Sequence, residues 1–141
     1  MALKVYAADQ VAVTFSGILL EAEGDDQFVT ITKTNDTFTY KEGVNGFGTR
    51  SRRKGKLFRV EVTLPQTSEK NALLSLLHKA DQESNGSGVG PLGIIDTNGT
   101  SVFISPESWI VKIPDWSAAA EADVVTWMWD CHNGEMLVGG N

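Results

Sequence analysis

Apolar positions along this chain alternate with polar ones more often than they recur at helical spacing, so the sequence reads as strands interrupted by one helix. Leu57 to Leu64 is the cleanest strand. Phe58, Val60, Val62 and Leu64 point one way and Arg59, Glu61 and Thr63 the other, which places one face in a core and the other toward water. Val11 to Phe15 also alternates, is broken or bulged at Ser16-Gly17, and resumes through Ile18-Leu19-Leu20. A turn at Glu23-Gly24-Asp25-Asp26 leads to the β-branched strand Phe28 to Lys33, which Asn35-Asp36 closes. Pro65-Gln66-Thr67 ends the strand from Leu57. Ser68 can then cap a helix, and Leu73, Leu74, Leu76, Leu77 and Ala80 form an apolar stripe. The spacing predicts a helix over about residues 69–82, lying across the open side of a sheet.

The rest of the chain is strand again. Glu83 to Pro91 reads as a flexible loop. Asn98-Gly99 between Leu92–Asp96 and Ser101–Ile104 is the strongest short hairpin signal present. Trp109 to Ile113 reads as a further strand, and Pro114 to Asp123 as a connection of small residues. Val124 to Cys131 is a long strand, and Glu135 to Gly139 follows a turn at Asn133-Gly134. Phe38 to Lys54 stands apart. It has glycines at Gly43, Gly46 and Gly48, turn chemistry and no sustained period. It reads as a long loop whose apolar groups, Phe38, Tyr40, Val44 and Phe47, cannot be buried locally. Such a loop is usually functional or ordered by a partner. The sum is roughly seven to nine strands and one helix in a single domain over residues 1–141. It is mainly β, an antiparallel β-sandwich or partly open barrel with one packed helix.

Charge sharpens this picture. Eighteen acids against twelve bases give a net charge of −6. An acidic domain of this kind is not expected to hold nucleic acid tightly, since that affinity rests on neutralising phosphates. Half of the bases nevertheless fall in one stretch: Arg50, Arg52, Arg53, Lys54, Lys56 and Arg59. Acids crowd into Glu21 to Asp26. Each block reads either as a solvated loop or as half of a charge-complementary contact between copies. No apolar run reaches the roughly 18 residues of a membrane span, and the start of the chain lacks the apolar core of a signal peptide.

Candidate chemistry is sparse. No phosphate loop, nucleophile elbow, zinc-protease motif or C-x-x-C occurs. Asp25-Asp26 reads as a solvated turn rather than a metal site. Cys131, between Asp130 and His132, points away from both in a strand and reads as a core residue. His78 falls late in the helix, where a cation suits the dipole. Gly86-x-Gly88-x-Gly90 follows no strand and opens no helix. Trp109, Trp116, Trp127 and Trp129 pose a choice between a ligand platform and core or interface packing, and packing is favoured because large rings dominate burial. No catalytic, cofactor or metal residue is assigned.

Across the whole chain, several patterns occur in a specific order. They are Asn35-Asp36-Thr37-Phe38, Lys41-Glu42-Gly43, Gly46, Arg50-Ser51, and Val62-Thr63-Leu64 with Gln66-Thr67-Ser68 and Asn71. Asp96-x-Asn98-Gly99, Trp109-Ile110 and the ending Met136 to Asn141 follow. In this the chain resembles the tail tube proteins of contractile-tailed bacteriophages. The resemblance implies a structural virion protein, assembled in the host bacterial cytoplasm. Hexameric rings would stack into the hollow inner tube of a phage tail, with a β-sheet from each subunit lining the lumen. Implied partners are the tail sheath, tape measure protein, baseplate and tail terminator, with double-stranded DNA passing through without tight binding. A tube terminator, a baseplate ring or the tube of a phage-derived injection device would share the fold.

On that reading Arg59, Glu61 and Thr63 are expected to face the lumen. Contacts between rings or subunits are expected from Phe38, Tyr40, Val44, Phe47, Arg50, Arg52, Arg53 and Lys54. These would meet Glu23, Asp25 and Asp26 of a neighbour, with Met136 and Val138 as a second contact.

Overall fold

The alternation of Phe58 to Leu64 becomes a strand of an antiparallel sheet, paired on both sides. The computed structural model describes residues 11–20, 29–96, 99–118 and 123–139. Its strands are β1 (Val11–Phe15), β2 (Ile18–Leu20), β3 (Val29–Lys33), β4 (Phe38–Glu42), β5 (Gly48–Arg52), β6 (Phe58–Pro65), β7 (Gly90–Asp96), β8 (Val102–Ile110), β9 (Val124–His132) and β10 (Glu135–Leu137). The helix α1 (Lys70–Ser84) lies between β6 and β7. The large sheet runs β2-β1-β7-β8-β9-β6-β3, with β10 also paired to β8. Among the described residues its end strands β2 and β3 do not pair with each other, so the sheet stays open rather than closing into a barrel.

Side-chain contacts show that the sheet folds over on itself. Phe15 on β1 meets Trp129 on β9 edge to face, with ring centroids 5.5 Å apart. In a flat sheet those strands, three spacings apart, would be separated by about 14 Å. Phe58 on β6 likewise meets Phe103 on β8 at 5.2 Å, across the intervening β9. The enclosed core contains Val13, Phe15, Val60, Val62, Leu92, Ile94, Phe103, Trp127 and Trp129. This is the sandwich arrangement that strict alternation on β6 and β9 requires.

Four local expectations are corrected. Ser16-Gly17 does not merely interrupt a strand. Both residues have positive φ, 49° and 86°, and Phe15 pairs with Ile18, so the chain reverses in a two-residue turn. The segments Val102–Ile104 and Trp109–Ile110 form one strand, because an irregularity in the β7–β8 pairing lets β8 continue along β7. Asn133-Gly134 does not reverse the chain. His132 pairs with Glu107 and Glu135 with Ile104, so β10 continues β9 along the same edge of β8 in unchanged register. Asn133, at φ 57°, absorbs the kink.

The fourth correction concerns α1. Its buried side chains are Leu74 and His78, with Leu77 partly buried, whereas Leu73, Leu76 and Ala80 are exposed. The seam is narrower and more polar than the leucine pattern implied. His78, expected late in the helix, therefore sits in the interior and in the middle of a helix that runs on to Ser84. Asn71 explains the placement. Its Nδ2 donates to the Pro65 and Gln66 carbonyls, and its Oδ1 accepts the buried Trp127 indole N–H at 2.9 Å. The helix is thus keyed to the ends of β6 and β9. Ser68 contributes at the first turn by accepting the Lys70 N–H at 3.3 Å, and Asn85 closes the last turn in the left-handed conformation.

Two stability outcomes follow. Leu74→Ala is expected to cost about 2–5 kcal/mol in urea unfolding, while Leu76→Ala, on the same helix, stays within about 0.5 kcal/mol of wild type. Equal losses would contradict the seam. Burial pushes the Cys131 thiol up to about 11 from an ordinary value of 9.0, offset in part by the Ser108 hydroxyl. The unfolded chain therefore releases this proton first, and stability falls as pH rises from about 9 to about 11. The loss is on the order of 2 kcal/mol. It should be absent from the pH dependence of a Cys131→Ala variant.

Candidate functional site

The stretch expected as a loop is a β-hairpin. Phe38 pairs with Arg52, Tyr40 with Arg50 and Glu42 with Gly48, forming a two-stranded sheet separate from the large one. Its alternation carries no strand signal in sequence because neither face is apolar throughout. Residues opposite one another share a face. Phe38, Tyr40, Arg50 and Arg52 therefore lie together, with Thr39, Lys41, Thr49 and Ser51 on the reverse. Arg50 stacks on the Phe38 ring at 3.7 Å. Tyr40 lies across Gly48, where any side chain would collide with the ring. At the tip, the Gly43 N–H donates to the Phe47 carbonyl, and Gly46 takes φ 85°.

The root of this arm is tied down. The Thr34 N–H and hydroxyl both donate to the Leu57 carbonyl, the Arg53 N–H donates to Thr37, and Lys33 reaches the Thr37 hydroxyl. Beyond the root every residue from Phe38 to Lys56 is exposed. Val44 and Phe47 are 111% and 75% exposed. Among the described residues, Arg50, Arg52, Arg53 and Lys54 make no ion pair. The two that form are Lys56–Glu135 and Arg59–Asp130. The acidic turn carrying Glu23, Asp25 and Asp26 lies outside the described residues.

The residues expected at a lumen share one surface. Arg59, Glu61 and Thr63 stand on the face of β6 turned away from the core, beside Thr30 and Thr32 of β3 and Thr126, Met128 and Asp130 of β9. Arg59 Nε and Nη2 donate to Asp130 Oδ1 at 3.1 and 3.0 Å, and the Thr63 and Thr126 hydroxyls meet at 3.2 Å. The sequence concealed Asp130 as the partner of Arg59, because the register of β6 against β9 must be known first. Met136 and Val138 are exposed near the end of the chain.

The four tryptophans do not make a platform. Trp127 and Trp129 are buried in the core, Trp109 is half-buried and Trp116 is exposed. Cys131 faces the core while Asp130 and His132 face outward. Among the described residues no group of three His, Cys, Asp or Glu gathers to hold a metal, and no helix is long and apolar enough to cross a membrane.

Comparison with known proteins identifies the family. Residues 5–139 match the family model described as bacteriophage PhiTE tail tube protein. The chain is 32% identical to "Structural protein ORF10" of Pseudomonas phage KPP10, over 96% of this chain and 83% of that protein. Its fold is shared with the tube-terminating cap of the anti-feeding prophage, at a TM-score of 0.63 and 11% identity, covering 97% of this chain and 94% of that one. The chain belongs to the bacteriophage PhiTE tail tube protein family.

Proposed function

We propose that this protein is a structural subunit of a phage virion that assembles into hexameric rings, stacked as the hollow inner tube of a contractile tail. The observation that carries this reading is the arm from Phe38 to Lys54. A two-stranded ribbon is at best marginal alone in water, and this one exposes aromatic rings and guanidinium groups that form no ion pair among the described residues. An identical neighbour supplies what the arm lacks. The acidic segment with Glu23, Asp25 and Asp26 is the complementary charge, and Met136 and Val138 add apolar contact.

The polar face bearing Arg59, Glu61 and Thr63 suits a lumen wall. Its Arg59 charge is met by Asp130, and Glu61 forms no ion pair among the described residues. Such a wall offers DNA phosphates little to adhere to, so DNA slides through during delivery. The open edges at β2 and β3 are where neighbouring subunits extend the sheet around the ring. Sheath outside, tape measure inside, and baseplate and terminator at the two ends complete the set of partners. Assembly takes place in the host cytoplasm, and the protein's role is mechanical, not enzymatic.

A tube-terminating role is the second reading, favoured by the fold shared with the anti-feeding prophage cap. Negative-stain imaging of concentrated purified protein separates the two. Tubes of many rings are expected; isolated rings would favour the cap, and monomers would contradict both. The variant Arg52→Glu with Arg53→Glu is expected to fold normally by circular dichroism but to form tubes at least about tenfold shorter, since like charges brought together cost several kcal/mol. Tubes of normal length would contradict the role given to the arm.

A further inference from the structure

The outer face of the large sheet is divided. Over β3, β6 and β9 it is mostly polar, whereas over β2, β7, β8 and β10 it carries exposed aliphatic residues beside Thr14 and Glu135. Leu19, Ile95, Ile104 and Leu137 are exposed there, 41% to 61%. The pairings Thr14↔Leu19, Ala12↔Ile95, Ile95↔Val102, Gly93↔Ile104 and Val102↔Leu137 set these residues in adjacent rows. On the β8–β10 side the surface sinks into a groove of about 480 Å3, lined by Val102, Ile104, Pro106, Met136 and Leu137, with Glu135 among them. A contiguous apolar surface of this kind marks an interaction site.

Resting on the reading of the chain as a self-assembling subunit, we infer that this groove receives the hairpin arm of a second copy, with Phe47 and Val44 at the arm's tip entering it. Three observations select that occupant. The arm and the groove are both exposed apolar surfaces of the same chain, so one contact buries both. The groove carries Glu135, which pairs with Lys56 at the surface and still leaves its carboxylate side chain 76% exposed, and the arm carries Arg50, Arg52, Arg53 and Lys54 without ion pairs among the described residues. The chain's own arm leaves this groove uncovered: its root passes beside it, where Lys56 reaches Glu135 at 3.0 Å and accepts the Gly134 N–H, yet every residue of the arm stays exposed. On the described residues the groove is therefore available to another copy. Its contact is heterologous, arm to groove, and so can propagate.

Disulfide trapping tests this directly, because the one native thiol, Cys131, is buried. Phe47→Cys and Ile104→Cys proteins are prepared separately, mixed under conditions in which wild-type protein forms tubes, and oxidised. A cross-linked dimer on non-reducing gels is expected, at least about tenfold more abundant than from Phe47→Cys mixed with Leu76→Cys on the exposed helix face. Preferential cross-linking to Leu76, or to neither position in protein that still forms tubes, would overturn the inference while leaving the tube reading intact. Failure of the wild type to assemble at all would overturn the tube reading, and this docking with it. As a second measure, Ile104→Glu, at an exposed position, is expected to keep the native circular dichroism and raise the concentration needed for assembly at least about tenfold. An unchanged threshold would contradict the groove's role.

Discussion

A ribbon of two strands cannot supply its own hydrophobic interior, and that constraint organises this molecule. Three or more strands with a covered face, or a helix laid across them, are needed for independent stability. The large sheet meets the condition by folding over until Phe15 touches Trp129 and Phe58 touches Phe103. The hairpin from Phe38 to Arg52 does not meet it. It has its own ladder, its own stacked Arg50–Phe38 pair and a firmly tied root, but no cover on either side. The large sheet has a covered core and the arm has none.

The same asymmetry recurs on the outside of the sheet. Over β6 and β9 the residues turned from the core satisfy one another, as in Arg59 with Asp130 and Thr63 with Thr126. That surface is at ease in water. Over β7, β8 and β10 the outward residues include Ile95, Ile104 and Leu137, each left about half exposed, with Glu135 among them. A polar wall, an apolar wall and an unsupported arm on one small body give a division of labour suited to a conduit built from many copies.

Much of this was legible in the residues, and the misses have physical reasons. Where one face of a strand is buried and the other wet, as on β6, period-two alternation identifies strand and core together. Where both faces carry apolar groups, as at Val102 to Ile104, alternation disappears, and the apolar outer surface was invisible for that reason. The arm failed the same test from the opposite side, since neither of its faces is buried. Ser16-Gly17 and Asn133-Gly134 carry similar turn chemistry. One reverses the chain and the other only kinks it, because β8 offers β10 a continuing edge. Only tertiary pairing decides between those outcomes. The helix was placed by its leucines, but the seam was chosen by Asn71 and its bond to Trp127, a pairing that sequence spacing does not announce.

The central claim is that the arm is ordered by identical copies, and amide hydrogen exchange residue by residue measures that most directly. In dispersed subunits the arm amides of Phe38 to Lys54 should exchange within seconds, as befits an uncovered ribbon, while β6 and β9 stay protected. In assembled protein the same amides should slow at least about a hundredfold. Arm amides that exchange equally fast in both states would show that the arm is not what joins one subunit to the next.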